Sequence, residues 1–122
     1  MSKPSNVTPL QTIANQSAVK LAEAQFRLAN LFTPYQFVPT RADFDRVAEF
    51  LDDPYKAFPQ PTDAIKTSLD RTIGTIAEAR AILSSFKAHG TEPTLSADQL
   101  FTTAQANVAG NRANAMAYSA AS

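Results

Sequence analysis

The sequence predicts an all-α fold: a small four-helix bundle-like domain with two long helices, one short helix and an Ala-rich C-terminal helix, joined by a proline-aromatic connector. Three observations predict it. Apolar residues recur in alternating steps of four and three over long stretches. A threonine or serine stands at each expected helix start, at Thr8, Thr40, Thr62 and Ser96. Prolines gather where the periodic stretches stop, at Pro34 and Pro39 and again at Pro54, Pro59 and Pro61. Steps of four and three place side chains on one side of a helix, whereas a half-buried strand alternates in twos.

The first helix is announced by Thr8-Pro9-Leu10-Gln11. Thr8 is suited to accept from a free amide, Pro9 fits the first helical position, and Gln11 is placed to reach back as a capping-box partner. Leu10, Ala14, Ser17, Leu21, Ala24, Leu28 and Leu31 then form one stripe, widened by Ala18, Ala22, Phe26 and Ala29. Pro34 and Pro39 forbid continuation.

A short second helix is expected after Thr40, with Asp43 at the third helical position, where a carboxylate favours the amide end of the dipole. Phe44, Val47, Ala48 and Leu51 form its apolar face, and Pro54 ends it. Residues 52–62 are expected to form no regular structure, because prolines at 54, 59 and 61 remove donors and fix the backbone. The segment reads as a stiff connector.

Thr62-Asp63 opens the longest helix, with Ile65, Leu69, Thr72, Ile76, Ala79, Leu83 and Phe86 on its stripe and Ile73 and Ile82 flanking. Gly74 within it points to close approach of another helix or a slight bend. Lys87 and His89 suit the negative end of the dipole, and Gly90 is the expected left-handed terminator. The fourth start is a capping box, Ser96-Ala97-Asp98-Gln99, with Leu95 and Leu100 placed as a hydrophobic staple. Phe101, Ala104, Val108, Asn111, Ala115 and Tyr118 keep the spacing beyond it, but the stripe is thin and Gly110 interrupts it. Asn111 either fixes register in a helix pair or marks where the helix frays, and so little apolar area favours fraying. The chain thus divides into an N-terminal tail over 1–8, a helical domain over 9–106 and an Ala/Asn-rich C-terminal segment over 107–122.

The 122 residues carry 11 acidic and 11 basic side chains, so no global field draws the chain to nucleic acid or to an anionic membrane. Arg71, Arg80 and Lys87 lie along the third helix, but Asp70 and Glu78 are interleaved, and no nucleic-acid partner is expected. There is no cysteine, hence no disulfide framework and no thiolate metal site. Three glycines make no phosphate-cradling loop. The single histidine, His89, has Ser84, Ser85 and Glu92 nearby in sequence, yet residues so close to one helix end do not converge as a triad must. The acidic pairs Asp43 with Asp45 and Asp52 with Asp53 read as surface charge. No catalytic residue, cofactor or metal ligand is therefore expected, and the chain reads as a non-enzyme. No spanning segment and no signal-peptide core is visible, which places the expectation in the cytoplasm or in a particle such as a virion.

What remains is interaction. Of eight phenylalanines and three tyrosines, Phe32, Tyr35, Phe37, Phe44, Phe50, Tyr55 and Phe58 fall between 32 and 58. Aromatics in loops either lid a core or project toward a partner. The candidate interface is Tyr35, Phe37, Tyr55, Phe58, Phe101, Val108, Asn111 and Tyr118. Its expected partners are proteins, in a homo-oligomer or larger assembly. The stretches "SADQLFTTAQANV" and "AMAYS" resemble the helical ends of phasins, amphipathic proteins that coat storage granules. The Asn/Ala-rich terminus is also similar to the terminal helices of flagellar rod and hook subunits. The first resemblance implies an amphipathic coat or adaptor on a hydrophobic surface, the alternative to an assembly subunit. The flagellar pattern is not matched at the N-terminus, and neither resemblance transfers a site.

Overall fold

A computed structural model describes residues 9–32 and 39–108, and it is all-α. Helix α1 spans Pro9–Phe32, α2 spans Arg41–Arg46 and α3 spans Asp63–Ala88. A fourth helix, α4, is described over 97–108. Two single 3-10 turns, Val47–Phe50 and Pro54–Ala57, lie between α2 and α3. No strand occurs among the described residues.

The caps explain the boundaries. At α2 the Thr40 hydroxyl accepts from the Asp43 amide at 3.2 Å, and the Asp43 carboxylate accepts from the Thr40 amide at 3.0 Å. This reciprocal pair satisfies two donors that the helix itself leaves free. Donation from the Thr40 amide and from its hydroxyl, the latter at 3.1 Å, together with Arg46 holds the Asp43 carboxyl below its ordinary pKa. At α3 the Thr62 hydroxyl accepts from the Ile65 amide at 3.2 Å. At α4 the capping box forms as the spacing predicts: the Ser96 amide donates to Gln99 at 2.8 Å, and the Gln99 amide donates to Ser96 at 3.1 Å. Helix α3 ends in a Schellman arrangement, with Thr91 N–H donating to the Phe86 carbonyl and Gly90 N–H to Lys87. Gly90 stands at φ 77°, the left-handed conformation that favours glycine there.

Helix α1 lies between two partners. Toward α3 and the segment after α2 it contributes Ala24, Leu28 and Ala29, which meet Val47, Leu51, Leu69 and Ile76 in one buried cluster. Toward α4 it contributes Ala22 and Phe26, which meet Phe44 and Ala104, with Leu100, Phe101 and Val108 packed on them. Helices α1 and α3 are antiparallel. Lys20 faces Glu78, while further along α1 the residues Arg27, Asn30 and Leu31 share a cleft with Ser68, Arg71 and Thr72. Leu28 and Leu69 are fully enclosed at this seam, and burying each such side chain contributes about 1.5–3 kcal/mol.

Several expectations need correction. Leu10 continues the α1 stripe but is 51% exposed, because the buried series begins only at Ala14. The Thr8 cap lies outside the described residues, and Gln11 also donates to the Glu92 carbonyl at 2.9 Å, which clasps the loop after α3 onto α1. Ala48 is exposed rather than core-facing. The chain tightens to 3-10 winding at Val47, and three residues per turn rotate Ala48 off the face that Phe44, Val47 and Leu51 keep. The connector is not devoid of regular structure: Pro54 starts a 3-10 turn, where a missing N–H costs nothing. Gly74 is exposed, and a Cβ built there meets nothing within 4 Å, so it marks no close approach.

Candidate functional site

The sequence-derived interface residues fall into two places. Tyr55 and Phe58, on and just after the second 3-10 turn, are half-buried and packed on the α1–α3 cluster. The Phe58 ring lies 4.7 Å from that of Phe32, and Phe50 approaches Phe32 from another side at 5.9 Å. Phe32 remains 40% exposed. The connector is also fixed to α3 by polar contacts. The Tyr55 hydroxyl donates to Asp70 at 2.5 Å, and Arg80 reaches Asp52 at 2.7 Å. The bond to Asp70 holds the Tyr55 phenol above its ordinary pKa, with partial desolvation acting in the same direction.

Phe101 and Val108 belong to the other place, the α1–α4 seam. Phe101 sits 6.0 Å from Phe26 in a tilted arrangement and 5.2 Å from Phe44 edge-on, which makes it the centre of an aromatic triad. Polar clasps flank the triad. Asn15 and Thr94 exchange two hydrogen bonds, at 2.8 and 3.2 Å. Asn107 donates to Glu23 at 2.8 Å, and Gln25 donates to the Phe44 carbonyl at 2.6 Å. Arg41 at the start of α2 bridges Asp45 and Asp98, which pins α4's first turn and raises the guanidinium pKa. The structure does not join Tyr55 and Phe58 with Phe101 and Val108 into one surface, since they pack on separate clusters. Tyr35, Phe37, Asn111 and Tyr118 lie outside the described residues.

Sequence reasoning missed part of the exposed apolar surface. Ile13 is 43% exposed, one helical turn from Leu10. The available signal was its position: Ile13 falls off the four-three stripe, and an aliphatic residue there has no core-facing role.

The residues weighed for chemistry do not converge. His89 caps α3 through its backbone and is exposed. Ser84 and Glu92 share a shallow depression with Arg80, Leu83, Lys87 and Pro93, a wall to which His89 does not contribute. Among the described residues no group of three metal-ligating side chains gathers, and no helix is long and apolar enough to cross a membrane. Comparison of the chain with protein-family models, with curated proteins and with solved structures gives no match.

Proposed function

We propose that the protein is a non-catalytic assembly subunit, a component of a virion or another multi-subunit particle, that acts through helix–helix and loop-mediated contacts with protein partners. In this reading the helical domain is a bundle-like body spanned at one end by the 52–62 connector. It sits in the cytoplasm or within the particle.

One observation carries the proposal: apolar side chains stay in contact with water at both ends of α1. Leu10 and Ile13 are about half exposed at one end, and Phe32 is 40% exposed beside Phe50 and Phe58 at the other. Large apolar groups grouped near one another at a surface favour burial by a partner, at roughly 25 cal/mol for each Å² covered. Light scattering coupled to size exclusion tests this on the full chain. A homo-oligomer, or a stable complex with a partner from the same particle, is the expected result. Ile13→Asp together with Leu10→Asp, or Phe32→Asp, should release monomer while leaving the helical spectrum intact. A strictly monomeric protein with no binding partner would remove the reading.

The pairing of Leu10 and Ile13 on adjacent turns favours one other reading, an amphipathic coat or adaptor on a hydrophobic surface. Partition of the purified chain onto oil droplets separates the two: enrichment at the droplet selects the coat, and its absence leaves the assembly subunit.

A further inference from the structure

The seam between α1 and α3 opens into a cleft of about 390 Å³ lined by Arg27, Asn30, Leu31, Ser68, Arg71 and Thr72. Each helix supplies a residue and its neighbours three and four positions on, the spacing that brings one helix edge to a common rim. Arg27 and Arg71 therefore line one cleft from opposite walls. Arg71 forms no ion pair among the described residues, and no carboxylate stands three or four positions from it on α3. The nearest acid in sequence, Asp70, is engaged by the Tyr55 hydroxyl. Arg27 has one carboxylate partner, Glu23, at 3.9 Å, with Glu23 also accepting from Asn107.

The hydroxyls point the same way. Thr67 and Thr75, which face solvent or stand half-buried, donate to carbonyls of their own helix at 3.0 and 3.1 Å. Thr72 is only 5% exposed, yet its hydroxyl has no partner among the described residues, nor has that of Ser68. Neither hydroxyl oxygen is sealed from solvent, so both can donate to a ligand in the cleft.

We propose that this cleft binds a phosphate group, either free or as a phosphomonoester. Two guanidinium forks and two hydroxyls offer donors around a tetrahedral oxyanion, and a guanidinium fork matches phosphate oxygens two at a time. The volume exceeds that of a phosphate group alone, and Leu31 offers an apolar wall to the rest of an ester. The site is separate from the apolar surface proposed for assembly and does not depend on it.

Titration of the isotope-labelled full chain with inorganic phosphate and with phenyl phosphate, at matched ionic strength and followed by amide NMR, tests the site. Saturable shifts centred on residues 27–31 and 68–72 are expected. Arg71→Gln and Arg27→Gln should each weaken binding about tenfold, the loss of one charge-assisted contact. Arg80→Gln, which removes the partner of Asp52, should leave the affinity unchanged. Tighter binding of phenyl phosphate identifies an ester as the ligand, and equal binding identifies the free anion. Shifts that never saturate, equal effects of Arg71→Gln and Arg80→Gln, or acetate binding as tightly as phosphate would overturn the proposal.

Discussion

Helix α1 has two seams, and they are held by different physics. Its contact with α3 is centred on an aliphatic ridge, where Leu28, Leu69 and Ile76 cluster with Val47 and Leu51, and Lys20 meets Glu78 across it at 3.9 Å. Its contact with α4 has only Ala22, Phe26, Phe44 and Ala104 at its buried centre. Around that small centre stand an aromatic triad and side-chain hydrogen bonds: Asn15 with Thr94 and Asn107 with Glu23 tie α1 to the α4 side, while Gln25 holds the Phe44 carbonyl of α2 and Arg41 ties α2 to Asp98 of α4. The first seam gains its stability from area removed from water, which is non-directional. The second relies on bonds with defined partners, each worth about 0.5–1.5 kcal/mol net. A seam of the second kind is easier to open and more exacting about what may close it.

The sharpest way to break this contrast is to cut the ridge. Leu28→Ala should cost about 2–5 kcal/mol, because the side chain is fully enclosed and helices on either side cannot collapse into the gap. Urea unfolding should report that loss as a shift of a single cooperative transition, with α1, α3 and α4 melting together. A loss below about 1 kcal/mol would mean that α1 and α3 do not form the principal core.

Phe101→Ala probes the other seam and should cost less, about 2 kcal/mol, since the ring is half-buried and its loss takes two aromatic contacts with it. The location of the damage matters more than its size. Amide exchange should accelerate across 97–108 while the amides around Leu28 and Leu69 keep their protection. Uniform acceleration in all helices would contradict the division into two seams.

Much of the α1–α3 ridge was legible in the sequence. Ala14, Ser17, Ala24 and Leu28 on α1, and Leu69, Thr72, Ile76 and Ala79 on α3, are buried where the four-three spacing puts them. Periodicity records burial on one face, so a long two-helix ridge writes itself plainly. The α4 start was equally legible, because a capping box is a local device carried by residues three apart. What could not be read was anything set by long sequence separation. The Asn15–Thr94 exchange spans 79 positions, and no local pattern distinguishes that asparagine from any other exposed amide. Ala48 failed for a different reason: a change of helical pitch at Val47 alters which positions share a face, and pitch is decided by how the segment docks. Of the cleft residues, only Leu31 and Thr72 stood in the stripes, with Arg71 weighed only as one charge in a mixed row. Its pairing across the seam with Arg27 needs the register of two helices, which the sequence does not carry.

A smaller effect sharpens the α4 side. Ser96→Ala removes the acceptor for the Gln99 amide and should cost about 1 kcal/mol. Because the cap belongs to the weaker seam, the loss should appear first as faster exchange at the start of α4, before any fall in the global midpoint. Gln99→Ala, which frees the Ser96 amide, should act in the same direction and by less. An equal loss of protection in α3 would show that the two seams open as one.

The smallest change runs the other way. Gly74 lies in mid-helix on the exposed side of α3, has ordinary helical backbone and faces open space where a Cβ would stand. Glycine there loses more conformational freedom on folding than alanine, with no packing return. Gly74→Ala should therefore stabilise the protein by about 0.5–1 kcal/mol, through the unfolded chain and without a new contact. Helix α3 is shared by the ridge and the connector, so the gain should raise the global midpoint and leave local exchange in α4 unaltered. If the substitution destabilises instead, some surface must press on α3 at that position in solution. Since the described residues leave it open, that surface would come either from the chain's remaining residues or from another molecule, and only in the second case would the outward face of α3 join the ends of α1 as a place where partners dock.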